Sequence, residues 1–186
     1  MGKIAFLFAG QGAQYPGMGK SLYQTSSAAA KVFDENEQTH PGIIKDCFEA
    51  DAQRLAQTDV TQPCLYTVDL AAAAALVQAG IQPQGVTGFS LGEMAALTFA
   101  RVFSASEGIS LVSKRGVFMQ QAAQQNSGTM AAVLKLENEK IEEICKQFKN
   151  VYPANYNCNG QLVVSGSSEE MPQFCEAVKQ AGGMAR

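Results

Sequence analysis

The sequence predicts an α/β protein in two parts: a parallel sheet covered on both faces, then a β-α-β-β-α unit. Three observations carry this. Residues 1–125 alternate short apolar runs with long helical patterns, as parallel strands joined by crossover helices do. Glycine-rich loops follow two of those runs, after Phe8 and around Ser90, where the carboxyl ends of parallel strands place active sites. After "QQNSG" at 124–128 the rhythm shortens, and an Asn159-Gly160 pair marks a hairpin turn.

The elements follow in order. Lys3–Phe8 is a continuous apolar run, a buried strand feeding "AGQGAQYPGMG". Helical stretches cover Gly19–Thr39, broken near Ser26, and Phe48–Gln57. "TQPCLYTVDLAAAAALVQAG" is a helix with Pro63 in its first turn and Gly80 as its stop. "QGVTGFS" is the next strand and "LGEMAALTFA" the next helix. Ser104 and Glu107 spell a capping box opening a helix that runs to about Gln124.

"QQNSG" is the expected hinge between a domain at 1–125 and another at 128–186. The second contains a strand (Thr129–Leu136), a charged helix (Glu137–Phe148), strands at Tyr152–Asn157 and Gln161–Gly166, and a helix (Glu169–Ala181) stopped by Gly182-Gly183. A split βαβ unit of the ferredoxin-like type ends with one more strand. That strand is expected to be missing, because the chain reaches "MAR" where it should begin. A raw sheet edge would result, so the chain reads as a fragment.

Composition limits the function. Of 186 residues, 46% are hydrophobic and 17% charged, which suits a packed core and not a disordered tail. The net charge of −3 gives no reason to expect nucleic acid or an anionic membrane as partner. The first apolar run is too short to span a membrane and lacks a signal-peptide cleavage site, and "DLAAAAALVQAG" reads as a buried helix. A soluble, cytoplasmic protein is expected. Cys47, Cys64, Cys145, Cys158 and Cys175 show no metal spacing and read as small hydrophobes, so no metal is expected.

Gly88-Phe89-Ser90-Leu91-Gly92 matches the nucleophile elbow. There a sharp strand-to-helix turn strains the serine backbone and lifts its hydroxyl above the sheet. The helix beginning at Leu91 aims free N–H groups and a positive dipole end at the site, which suits an oxyanion. Other residues are open from the residues alone. The Gln11 loop reads as a tight turn or part of a site. Arg115 reads as a solvated arginine or a carboxylate grip. Gln62 reads as a polar helix-start residue or a pocket residue, and Asn155 and Asn157 as turn formers or pocket residues.

Five blocks occur in one order: "FAGQGAQ" at 8–14, "TQP" at 61–63, "GFSLGE" at 88–93, "SKRG" at 113–116 and "NYNCNGQ" at 155–161. Together they resemble the malonyl-CoA:acyl-carrier-protein transacylase family, whose fold is shared by acyltransferase domains of fatty-acid and polyketide synthases. The resemblance covers essentially the whole chain. It implies an α/β-hydrolase-like core with an inserted ferredoxin-like subdomain. It implies transfer of malonyl from coenzyme A to a serine and then to the phosphopantetheine thiol of acyl carrier protein, without a cofactor. On this sequence Ser90 is the implied nucleophile, and the backbone N–H groups of Gln11 and Leu91 the implied oxyanion donors. Arg115 would pair with the malonyl carboxylate, and Gln62 and Asn155 or Asn157 would line the pocket. Phe89 departs from the histidine that many members carry there, which should alter pocket packing more than the reaction.

The family's catalytic histidine lies after the ferredoxin-like insert, in a segment this chain does not contain. His40, in "QTHPG", precedes the serine, whereas in elbow enzymes the histidine follows it, so His40 reads as an ordinary loop residue. Three explanations are open: an enzyme nicked after Arg186 whose remaining part is separate, a gene ending here that leaves an inactive binder, or a partner polypeptide supplying the base. The first is favoured. The competing functions are a serine hydrolase or thioesterase, and an inactive carrier-protein-binding fragment.

Overall fold

The computed structural model describes residues 2–125 and 127–186. They divide into two compact units, Met1–Gln121 and Ala122–Arg186. The hinge expected at 124–128 includes Asn126, which lies outside the described residues.

In the first unit, β1 (Ala5–Phe8) pairs in parallel with β2 (Gly85–Gly88), from Ala5↔Gly85 to Phe8↔Gly88. The helices between them are α1 (Lys20–Thr25), α2 (Ser27–Thr39), α3 (Ile43–Glu49), α4 (Ala52–Leu55) and α5 (Thr58–Gln78). The expected break at Ser26 is a cap, with its Oγ accepting from the Ala29 N–H at 3.2 Å. The helix expected over Phe48–Gln57 is instead two helices. Gly42, at φ 95°, opens α3 five residues earlier, and Asp51 caps α4 by accepting from the Arg54 N–H at 2.8 Å. An Asx side chain competing for backbone donors interrupts the helical run there.

Pro63 is not in the first turn of its helix. α5 starts at Thr58 because the Gln57 carbonyl accepts from the N–H groups of Val60 and Thr61, at 3.0 and 2.8 Å. Pro63 is therefore interior and removes one helical hydrogen bond. α5 is long and apolar enough by composition to cross a membrane, yet 61% of that window is buried inside the structure. Val60 through Thr67 are all buried, which marks the central helix of a core. α6 (Leu91–Phe99) and α7 (Ala105–Gln125) follow β2. The capping box is present: the Ser104 N–H donates to Glu107 Oε2 at 2.9 Å, and the Glu107 N–H to Ser104 Oγ at 3.3 Å. The core gathers Phe6, Phe8, Phe33, Tyr66, Leu91 and Ile109. Phe6 and Phe8 meet Phe99 with ring centroids 5.6 and 5.8 Å apart.

The second unit holds β3 (Gly128–Leu134), α8 (Asn138–Cys145), β4 (Val151–Cys158), β5 (Gln161–Ser167), α9 (Met171–Gln180) and β6 (Met184–Ala185). The sheet order is β4-β5-β3-β6, with every pairing antiparallel. This is the order of a ferredoxin-like βαββαβ unit. The expectation of a missing last strand is therefore corrected. β6 pairs on the outer edge of β3 (Val133↔Ala185, Leu134↔Met184), and Arg186 and Ala132 exchange backbone hydrogen bonds at 2.8 and 3.0 Å. The free donors and acceptors of β3 are enough to order even a short segment. Ala131, Val133, Leu162 and Val164 form a core with Ile141, Ile144, Phe174 and Val178 from α8 and α9, while Met130 and Tyr152 are exposed. Cys47, Cys64 and Cys145 are buried as expected, but Cys158 is exposed, near the end of β4.

Candidate active site

The site is built where β1 and β2 end. β2 turns into α6 at Ser90, whose backbone sits at φ 53°, ψ −103°, a region that costs a non-glycine residue about 1–3 kcal/mol. The neighbouring glycines show why the turn is possible. A Cβ on Gly88 would strike the Gly92 carbonyl, and one on Gly92 would strike the Phe8 carbonyl. Strand and helix thus cross too closely for any side chain. The Phe89 N–H donates to the Phe8 carbonyl at 3.2 Å, tying the elbow to β1. Ser90 is exposed at the tip.

The first turn of α6 supplies the amides. The Gly92 and Glu93 N–H groups bond back to the Phe89 and Ser90 carbonyls, at 2.9 and 3.3 Å. The Leu91 N–H has no intrahelical acceptor, as expected at a helix start. Its side chain is buried, so that amide is held beside Ser90. Gln11 is exposed in the turn after β1.

Arg115 reaches this point from α7. Its guanidinium donates to Ser90 Oγ at 3.0 Å and to Gln62 Oε1 at 2.7 Å. The Gln62 amide nitrogen approaches Gln11 Oε1 at 3.4 Å and Met119 Sδ at 3.2 Å. Gln62 is 1% exposed, so it is a rigid post on α5. The structure thus joins Ser90, Arg115, Gln62 and Gln11 in one hydrogen-bonded group within the first unit. Asn155 and Asn157 lie on β4 of the second unit, both exposed. Asn155 is paired with Val163, and Asn157 falls at a register shift between Tyr156 and Cys158. His40 caps the end of α2, with Nδ1 2.9 Å from Ser113 Oγ.

Sequence reasoning passed over Thr58, Met119 and Gln120. Thr58 Oγ1 accepts from the Gln11 side chain at 3.4 Å, and the Thr58 N–H donates to Gln120 Oε1 at 2.9 Å. Helical spacing signals two of them, since Thr58 precedes Gln62 and Met119 follows Arg115 by four residues. Asp69 was also passed over. Burial pushes its carboxyl up to about 7, against a smaller opposing effect of the Ala9 backbone. Its Oδ2 is buried with no hydrogen-bond partner among the described residues. Burial and the neighbouring Cys64 group raise the Cys47 thiol, the Cys64 hydrogen bond most, and burial raises Cys145 to about 11. Neither is a ready thiolate.

The geometry provides an exposed hydroxyl, helix-start amides and a cation in contact with that hydroxyl. The acyl transferase domain family matches residues 5–186. The chain belongs to that family. Among relatives of this acyl transferase domain, a malonyl CoA-acyl carrier protein transacylase of Bacillus subtilis (strain 168) is 38% identical over 98% of this chain and 59% of its own length. A crystal structure of the malonyl CoA-acyl carrier protein transacylase from Clostridium perfringens superposes with TM-score 0.92 and 36% identity, over 100% of this chain and 60% of that one. A type II polyketide synthase acyl-carrier protein in complex with its malonyl-transacylase matches with TM-score 0.91 and 31% identity, covering 99% of this acyl transferase domain and 62% of that chain. The chain thus spans about three-fifths of the length of these relatives. The α/β core with its ferredoxin-like subdomain is the architecture these structures share with it.

Proposed function

We propose that this chain carries the nucleophile and substrate grip of a malonyl-CoA:acyl-carrier-protein transacylase, reached from coenzyme A thioesters and from the thiol of an acyl carrier protein. The observation that carries the reading is Arg115, whose guanidinium touches Ser90 Oγ at 3.0 Å. A fixed cation beside a nucleophile selects acyl groups with a carboxylate at the far end. A planar guanidinium grips such a carboxylate through two parallel hydrogen bonds. A neutral acyl group would leave the charge without its partner.

In the first half-reaction Ser90 Oγ attacks the thioester carbonyl carbon. The carbonyl oxygen becomes the oxyanion, facing the Leu91 and Gln11 N–H groups. The carbon–sulfur bond then breaks and coenzyme A leaves with the proton taken from Ser90. In the second half the carrier-protein thiol attacks the seryl ester, the carbon–oxygen bond breaks, and Ser90 recovers its proton. Splitting the exchange between two thiols into two acyl transfers makes each step easier. The proton acceptor is assigned to a histidine in the part of the relatives' length that this chain does not span. His40 is engaged with Ser113. The chemistry requires no metal or cofactor.

The test is coenzyme A release from malonyl-CoA, with and without carrier protein, together with the mass of the Ser90 peptide. One equivalent of coenzyme A released as a malonyl adduct forms on Ser90, abolished by Ser90→Ala, with further release dependent on carrier protein, is expected. Release to water at the same rate without carrier protein would make the chain a hydrolase.

A further inference from the structure

The hydrogen bonds beside Ser90 run as a chain whose two ends the helix α7 joins into a ring. Arg115 bonds Ser90 and Gln62, Gln62 approaches Gln11, Gln11 reaches Thr58, and Thr58 bonds Gln120. Gln120 stands on α7, the helix that carries Arg115, so the ring returns to its start. The Gln11 side chain is held from both ends: Oε1 faces the Gln62 donor and Nε2 donates to Thr58, each at 3.4 Å. The turn carrying Gln11 has little else of its own. Its internal bonds are Ala13 N–H to the Gly10 carbonyl at 3.4 Å and Gly12 N–H to Gln14 Oε1 at 2.7 Å.

Thr58 is suited to link the two helices. As the first residue of α5 its N–H has no helical acceptor, and Gln120 supplies one at 2.9 Å. That bond fixes the backbone from which the Thr58 hydroxyl reaches Gln11. Gly116 on α7 would place a Cβ 3.0 Å from the Asp59 Cα and 3.1 Å from the Thr58 carbonyl, so the helices meet closely here.

We propose that Thr58 and Gln120 are positioning residues: Gln120 fixes Thr58, and the Thr58 hydroxyl holds the Gln11 turn so that its backbone N–H faces the acyl oxygen beside Ser90. Neither residue touches the substrate. The kinetic consequence rests on the acyl-transfer reading above, whereas the structural consequence does not. An oxyanion donor serves every acyl group, so loosening it slows malonyl and acetyl transfer to Ser90 by the same factor. Loss of Arg115 discriminates between the two.

The experiment compares wild type, Thr58→Val, Thr58→Ser and Gln120→Leu after melting curves confirm that each is folded. Backbone hydrogen exchange at Gly12 and Ala13 is measured by mass spectrometry, and Ser90 acylation from malonyl-CoA and acetyl-CoA by intact mass. Faster exchange in Thr58→Val and Gln120→Leu is expected, with wild-type exchange in Thr58→Ser. Acylation should fall on the order of 10-fold for both thioesters in Thr58→Val, below the ~10²–10³ of a fully lost donor, and recover in Thr58→Ser. Unchanged exchange, failure of serine to rescue, or a loss confined to malonyl-CoA overturns the proposal. Should Thr58→Val not fold, Gln120→Leu decides from the other end of the link by the same criteria. A wild-type protein that acylates with neither thioester lacks the proton acceptor assigned above to a histidine beyond this chain's span, and exchange alone then judges the clamp.

Discussion

Arg115 carries the substrate selection proposed for this site, and its partners decide what can be tested. It is held by buried Gln62 and touches Ser90, so its cation is fixed before substrate arrives. Truncation to alanine removes the proposed grip on a carboxylate but leaves the elbow and its amides intact. Arg115→Ala should lower malonyl transfer by about 10²-fold or more, the scale of a charge-assisted pair of about 3 kcal/mol, with a smaller effect on acetyl transfer. Competing rates with the two thioesters check this, and equal losses would remove Arg115 from substrate selection. At this scale Ser90 was legible because its motif is local: two glycines and a strand–helix junction lie within five residues. Arg115 was open from the residues alone, because it sits 25 residues from Ser90 and its helix offers many exposed faces. Thr58 and Gln120 were passed over because an amide and a hydroxyl at these positions have ordinary surface uses.

At the scale of elements, the elbow works because β1, β2 and α6 are packed backbone to backbone. Gly92 lets the first turn of α6 lie against the Phe8 carbonyl. Gly92→Ala should therefore destabilise the first unit by about 2–3 kcal/mol through overpacking, read as a lower urea midpoint with unchanged slope. A variant as stable as wild type would show that the crossing has slack. Boundaries set by side-chain signals were read well, namely the Ser26 cap, the Ser104–Glu107 box, the Asn159-Gly160 turn and the Gly80 stop. Boundaries set by competition between neighbours were not. α3 and α4 divide where Asp51 captures a backbone N–H, and α5 begins ahead of the proline expected in its first turn. β6 was missed because two residues carry no periodicity. It exists through the edge of β3.

For the molecule as a whole, Asp69 gives stability a dependence on pH. Burial raises the Asp69 carboxyl to about 7, so the folded state binds this proton more tightly than the unfolded chain, where the value is about 3.9. Stability from this group is therefore greatest below about pH 4 and declines as pH rises to about 7, then stays level. Asp69→Asn, which cannot ionise, should match wild type near pH 4 and exceed it at pH 8. The expected gain is about 1–2 kcal/mol, allowing for solvent screening of a part-buried carboxyl. Urea titrations at both pH values check this, and a gain of equal size at the two would assign it to packing instead.

Periodicity, turn residues and a five-residue motif were enough to read off the alternating architecture, the ferredoxin-like succession and the strand-to-helix elbow at Ser90. All of these depend on neighbours in the chain, and local sterics and hydrogen bonding act over that range. Folding alone could show that Arg115, Gln62, Gln11, Thr58 and Gln120 link up beside Ser90, that Asp69 is left with an oxygen unpaired among the described residues, and that Met184–Ala185 becomes a strand. Each of these depends on groups distant in sequence meeting at hydrogen-bond range, and composition and spacing do not encode such distances.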